Sequence, residues 1–547
     1  MTTYYVDATT GSDSDDGLSE ANAWQTISKI NGFAFSAGDV CKLKRGEVWR
    51  EQWAVNTGGA SGNPVTYDAY GTGELPKITG CDLLTGWTLV SGSVYRAAFT
   101  ESIDIYLLLE DDVMATLVAS QAAVDGAGKF WHDATNNFTY YWAIDSADPD
   151  THTMEIGARY DVVGCDDRAY IAINNIHMHG AGGQFGHGFG IDPTWLSAES
   201  IVLSGCKISQ CWYSGVWLTY TTGFTPTDGF EMHDCEVSYS GHFGVRIGGE
   251  NAANRITNSV LDNCHIHDNG FDITANGEFG IWTVFLDGLV ITNCHIHDNQ
   301  GQFDWSGNMY ITNTLNAEVS YCDVHDGYKN NIHFDTACNG FICKYNLSHD
   351  AALWNGIWVE DHEVASGASY IYNNTIWNCK HGLVFGPGGG TINEVSGVTA
   401  KNNIFDKCHR AAVELNEDGV GADYLNNTLD YNLYLADDTD PDYQGQFRAE
   451  NPRVNKTFTQ WKTYTSWDAN SFNVTAQMID PTNGNFRLQA PSPCIDEGTP
   501  VSLTPDYAGT TVPQGVAPDM GAYEFTFAKG RGLSPNRYIR PWKILGR

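Results

Sequence analysis

Two carboxylates close two similar phrases: Asp335 ends NIHFD and Glu360 ends GIWVE, 25 residues apart. Side chains alternate along a strand, so residues two and four of each phrase share one face and residues three and five the other. On neighbouring parallel strands, Asp335 and Glu360 would stand about 4.8 Å apart on one face. Like charges so placed destabilise a sheet, so the pair calls for a compensating purpose. Two carboxyls about 5 Å apart suit displacement at an anomeric carbon with retention, in which one attacks and the other keeps a proton for the leaving oxygen. Repulsion between them raises one pKa and divides the pair into acid and base. If the strand ends one residue earlier, Asp361 or His362 takes over this work, so Asp361 is a third catalytic candidate and His362 a binding candidate. The plainer reading is a structural Ca2+ site or a pair of ordinary strand ends.

Position three of the same phrase in successive copies holds Trp217, Arg246, Trp282, Tyr310, His333 and Trp358. Flat rings in a column offer apolar platforms to the C–H faces of sugars, and Arg246 adds a polar contact or a salt bridge. Lys329, just before NIHFD, is a binding candidate; it could also be the base of an eliminating enzyme, although a solvated turn lysine accounts for it too. The pairs His265/His267 and His295/His297, with His325, form a histidine column. No spacing there fixes a tetrahedral set, and polar residues after an aliphatic position suit an outward turn, so neither metal nor cofactor is expected beyond the structural Ca2+.

These residues need a scaffold that repeats. Cys206, Cys235, Cys264, Cys294 and Cys322 recur at intervals of 29, 29, 30 and 28, and the slot continues as Tyr345, Asn374, Asn402 and Asn427. Such a period with short β-type runs signals a solenoid whose coils bury their apolar sides by stacking. A second phrase runs GVWLT, GVRIG, GIWTV, NMYIT, NIHFD, GIWVE and GLVFG, with the core at positions two and four. Two strand phrases per coil, with room for a third, predict an all-β right-handed parallel β-helix. The cysteines then form a ladder inside the coil, followed by asparagines whose amides bond along the stack. The 58 glycines, 12% aromatics and 18% charged residues fit short strands joined by tight turns.

The expected division is an N-terminal cap with first coils over 1–80, with a helix over 23–31, and an inserted β subdomain of hairpins over 81–165. The helical core follows over 166–436, then closing coils over 437–525 and a basic tail over 526–547. The formal charge of −36 disfavours nucleic acid, anionic membranes and acidic polysaccharides, and so favours a neutral glycan. No apolar run reaches membrane-span length, and the start MTTYYVDATTGSDSDDG lacks a basic n-region and an apolar h-region. A secreted protein without its signal, or a phage protein, is expected ahead of a cytoplasmic one. A monomer is expected, or a trimer if phage-derived.

YYVDATTGSDSDDG with AGDVCKLKRGEVW near the start, and SPCIDEGTP with APDMGAYEF near the close, resemble the ends of bacterial proteins of the pectin-lyase-like superfamily of parallel β-helix carbohydrate-active enzymes. With the repeats, the resemblance covers nearly the whole chain. It implies the fold, while hydrolases, lyases and epimerases all share it. NIHFD followed by WVEDH is similar to paired motifs of β-helix retaining β-xylosidases. That likeness implies Asp335 as nucleophile and Glu360 as acid/base on a xylan-like or related glycan. WVEDHE departs from it by lacking a nearby asparagine and glycine, so sugar specificity does not transfer. Two other readings stand beside this one: a polysaccharide lyase or uronan epimerase, and a phage tailspike or adhesin that binds glycan without turnover.

Overall fold

The structure, a computed structural model, describes residues 1–100, 103–165, 168–191, 200–219, 229–271, 278–301, 306–351, 353–360, 362, 367–386, 395–415, 426–436, 447–449 and 454–526. The chain divides into two compact units, Met1–Asn254 with His267–Ala275, and Arg255–Ile266 with Asn276–Arg547.

The first unit begins with an aromatic plug rather than a long helix. Trp24 bridges to Val6 in strand fashion, and only Ile27–Asn31 is α-helical, with the Thr26 side chain capping the Lys29 amide. The helix expected over 23–31 is thus cut short because Trp24 is committed to the end of the stack, its ring stacked on Tyr4 at 4.9 Å. Parallel coils follow. Ile171–Asn174 pairs with Val65–Tyr70 on one side and with Ile201–Ser204 on the other, and Ser214–Thr219 pairs in register with Phe243–Gly248. Between Cys81 and Gly157 the chain leaves the coil pattern for antiparallel pairs such as Lys129–Asp133 with Phe138–Trp142, which enclose Leu84, Trp87, Leu108, Phe130 and Tyr141.

The second unit is made of parallel coils, each contributing a short strand to each of three sheets. One sheet holds Gly307–Thr312, Asn330–Asp335, Asn355–Glu360 and His381–Gly386 in successive parallel register. Positions two and four point into the core: Met309, Ile311, Ile332, Phe334, Ile357, Val359, Leu383 and Phe385 are all buried. Thr283 is the polar residue at such a position, and it too is fully buried. The helix Phe458–Thr465, closed by a capping box at Thr457, stacks Trp461 on Phe447 at 4.8 Å.

One corner of each coil explains the doublets NC, YC, YN and NN. Asn263, Asn293, Tyr321, Tyr345, Asn373, Asn402 and Tyr431 have φ from 51° to 57°, a left-handed conformation that asparagine tolerates better than most residues. The residue after each points inward. All fourteen cysteines are buried and unbridged, including Cys264, Cys294 and Cys322 at this corner. The asparagine ladder continues them as Asn346, Asn374, Asn403 and Asn432: each of the first three donates its side-chain amide to the Oδ1 of the next, 3.0 Å away, and that same oxygen accepts the donor's own backbone N–H. This corrects the slot expected from the sequence. Tyr345 and Asn402 are the left-handed corner residues, and Asn427 serves a different bond, accepting the Val398 amide at 2.8 Å.

Asn403→Ala would leave the buried Asn374 N–H unpaired and take from the Ile371 carbonyl the side-chain donor that it holds besides its place in the strand ladder. The expected loss is about 1–3 kcal/mol, the usual cost of a buried group left unpaired. Urea unfolding should show a lowered midpoint, with Cys264→Ala, which removes only a weak donor, costing less.

Candidate active site

Asn330–Asp335 is pinned where it begins. Asn331 donates its side-chain amide to the carbonyls of Val324 and His349 at 3.0 and 2.9 Å and accepts from Asn308, while Asn330 accepts from Asn355 at 2.8 Å. With its start fixed and Ile332 and Phe334 in the core, His333 and Asp335 face the other way. Register pairs His333 with Trp358 and Phe334 with Val359, which sets Glu360 on the strand beside Asp335. One nitrogen of His333 and one oxygen each of Asp335 and Glu360 lie within 4.8 Å of one another.

The two carboxyls have different surroundings. Tyr310 donates its hydroxyl to Asp335 Oδ2, and Thr336 donates both its amide and its hydroxyl to Oδ1 at 2.7 and 2.9 Å. Burial acts to raise the Asp335 carboxyl, but the field of His333 and the donors from Tyr310 and Thr336 outweigh it, so the group sits below its ordinary value. Glu360 lacks such an array; its Oε2 lies 3.0 Å from His333 Nε2. Burial pushes the Glu360 carboxyl up to about 7, with Asp335 adding to the rise and His333 opposing it. Near neutral pH the pair therefore carries one ionised and one protonatable carboxyl.

The rings beside the pair are in contact. His333 stacks on Trp358 at 4.3 Å and 4° and meets Tyr310 edge-on at 5.1 Å. Trp282 lies 6.3 Å from Tyr310, and Phe279 stacks on Tyr310 at 4.7 Å.

The family profile described as a right handed beta helix region matches residues 187–301 and 224–392. The coils described above are those of a right-handed parallel β-helix, the fold that this profile describes. Among solved structures, XylC in complex with xylose superposes with a TM-score of 0.52 at 13% identity, over 80% of this chain and 76% of that one. A structure described as a glycoside hydrolase superposes with a TM-score of 0.53 at 10% identity, over 81% and 98%. In sequence, 80 residues are 34% identical to lacto-N-biosidase of Bifidobacterium longum subsp. longum, a stretch that is 14% of this chain and 5% of that protein.

The β-helix brings Tyr310, His333, Asp335, Trp358 and Glu360 together, and their surroundings revise several expected roles. His333 has no exposed surface, so it is a spacer between rings and a partner of Glu360 rather than a platform for substrate. His362 is likewise removed from the binding set: it is fully buried, its Nδ1 2.6 Å from the Ser396 carbonyl and its Nε2 2.6 Å from Ser369 Oγ. Lys329 places its ammonium 5.0 Å over the Trp354 ring. Trp217 and Arg246 belong to the first unit, where the guanidinium lies 4.0 Å over the indole and donates to Thr219 Oγ1 at 2.9 Å. Asp361 and the tail 527–547 lie outside the described residues.

Three neighbours were not singled out from the sequence. Thr336 follows the strand and becomes a donor only because its hydroxyl folds back onto Asp335. Trp354 lies before its strand phrase, 6.4 Å from Trp358, and Phe279 holds position zero of its own phrase. A pattern search confined to positions two to five passes over all three.

Glu360 binds its proton more tightly folded, near pH 7, than at the ordinary 4.5 of an exposed glutamate. Stability from that proton is present below pH 4.5 and is lost as pH rises through 7. Glu360→Gln should therefore flatten the decline in melting temperature across this window. In the wild type, the Glu360 carboxyl 13C signal should titrate near pH 7, and it should move lower in Asp335→Asn.

Proposed function

We propose that this protein is a retaining glycoside hydrolase acting on a neutral, xylan-like or related polysaccharide or oligosaccharide, with Asp335 as nucleophile and Glu360 as acid/base. The observation that carries the proposal is the unequal treatment of two carboxyls whose oxygens approach within 4.8 Å. Retaining enzymes keep their carboxyls about 5–5.5 Å apart, whereas inverting ones need roughly 6.5–9.5 Å to admit a water.

The division of labour follows from the donors. Asp335, held ionised by Tyr310 and Thr336, attacks the anomeric carbon and forms a glycosyl ester while the glycosidic C–O bond breaks. Glu360, protonated at about neutral pH, gives its proton to the departing oxygen. It then takes a proton from the water that cleaves the ester, which restores both groups. His333 holds Glu360 Oε2 and keeps the two carboxyls in register. Trp358, half-buried at the edge of the ring stack, offers an apolar face to a sugar. The glycan-related neighbours support the substrate class: one holds xylose and another is described as a glycoside hydrolase.

Neutral and acidic polysaccharides should be screened for new reducing ends and for absorbance of unsaturated products. Reducing ends without unsaturation are expected; unsaturated products would replace hydrolysis with elimination, and glycan binding without turnover would favour an adhesin. On a cleaved substrate, 1H NMR should show the first-formed anomer keeping its configuration. Glu360→Gln should lower kcat by about 10²–10⁴-fold, the usual size of a general-acid contribution, and abolish an alkaline limb near pH 7. Asp335→Asn should abolish turnover while the melting profile survives; full activity in both variants would move the chemistry elsewhere.

A further inference from the structure

A different sheet of the second unit carries a histidine array that the proposed hydrolysis does not use. His295–His297 pairs in register with Asp323–His325, which pairs with Leu347–His349. Ile266, Ile296 and Val324 are fully buried, so the flanking histidines at 265, 295, 297 and 325 stand on the outer face, half-buried. Their contacts run diagonally from coil to coil. His265 Nε2 lies 2.8 Å from His297 Nε2, and His295 Nε2 lies 2.8 Å from His325 Nε2. His349 ends the row against a carboxylate, its Nε2 3.0 Å from Asp323 Oδ1.

The second nitrogen of the ring tells what the first can do. His297 Nδ1 lies 2.7 Å from Asp298 Oδ2, and His325 Nδ1 lies 2.8 Å from Asp326 Oδ2. A carboxylate accepts, so each Nδ1 carries the proton and each Nε2 presents a lone pair. Carboxylate–imidazole pairs of this kind orient and strengthen histidine ligands in metal sites. Without an ion, the pair His265/His297 is held by one shared proton. With an ion, that proton moves to His265 Nδ1 and both Nε2 lone pairs turn to the metal. One ring nitrogen each of His265, His295 and His297 lies within 4.8 Å of the other two. Ligands at about 2.0–2.1 Å from a tetrahedral ion are about 3.3 Å apart, within reach of small side-chain rotations.

We propose that His265, His295 and His297 bind one divalent transition-metal ion of the zinc class, with water or His325 completing the coordination. The ion ties together coils whose histidines are 30 and 32 residues apart in sequence. Imidazole nitrogens select zinc-class ions over Ca2+ and Mg2+, which take oxygen ligands. The site is independent of the carboxylate pair, and its test does not rely on turnover.

The protein stripped with a chelator should bind one equivalent of Zn2+ by calorimetry and gain melting temperature with added Zn2+ but not Ca2+. Co2+ should give the visible absorption of a tetrahedral nitrogen site. His295→Ala with His297→Ala should weaken Zn2+ binding at least about 100-fold, and Asp298→Asn, an exposed change that removes no ligand, by about 10–100-fold. No saturable Zn2+ binding by the wild-type protein would overturn the proposal. Undiminished binding in the double variant would do so as well, by placing the ion at another cluster such as His333, Asp335 and Glu360.

Discussion

Parallel stacking governs this protein: whatever stands at one position of a coil stands against its equivalents above and below, at about 4.8 Å. An inward residue must therefore be compatible with itself as a neighbour. Aliphatic side chains meet that demand by packing, cysteine by being small and soft, and asparagine by offering a donor and an acceptor at once. The run from Cys322 to Asn346, Asn374, Asn403 and Asn432 shows two of these solutions joined in one ladder, the Cys322 amide donating to Asn346 Oδ1 at 3.0 Å. A carboxylate satisfies no such rule, since it accepts only. Two at equivalent positions persist only where the surroundings make them unlike.

Those surroundings come from the same stacking. Asp335 owes its donors to the preceding coil, through Tyr310, and to its own exit turn, through Thr336. Glu360, one coil later, meets instead the ring of His333 and the charge of Asp335. A regular array has produced an irregular pair because each coil differs from the next at position three. Tyrosine donates a proton where histidine shares one, and with the Thr336 donors and the burial of Glu360 this separates the two acids.

The second-strand phrase was legible because its period-two burial is local: Ile332, Phe334, Ile357 and Val359 need only a neighbouring coil to be buried. The ladder was harder to read. In a doublet such as Asn373–Asn374, both residues are asparagine, and only the left-handed φ of the first tells which points inward. A sequence shows residue types and not that torsion, so Tyr345 and Asn402 stood in the wrong place. His333 presents a similar limit. Its alternation placed it outward, and outward it is, yet Trp358 and Tyr310 close over it and remove it from solvent. Covering of this kind depends on rotamers two coils apart. His362 failed for another reason, since the strand continues through Glu360 and His362 is buried between the Ser396 carbonyl and Ser369 Oγ.

The histidine array and the carboxylate pair are the same device with different side chains. In each, residues about one coil apart in sequence are held side by side by strands whose buried members cannot shift without opening the core. That rigidity supplies preorganisation, which a proton-sharing pair needs and which a set of metal ligands also needs. What differs is the outer partner. Aspartates beside the imidazoles fix protons on Nδ1 and leave lone pairs facing one another, whereas hydroxyls on Asp335 consume its lone pairs and leave its neighbour to carry the proton. One scaffold can thus hold a proton donor at one sheet and a set of bases at another, with the chemistry decided by what the adjoining turn places next to each.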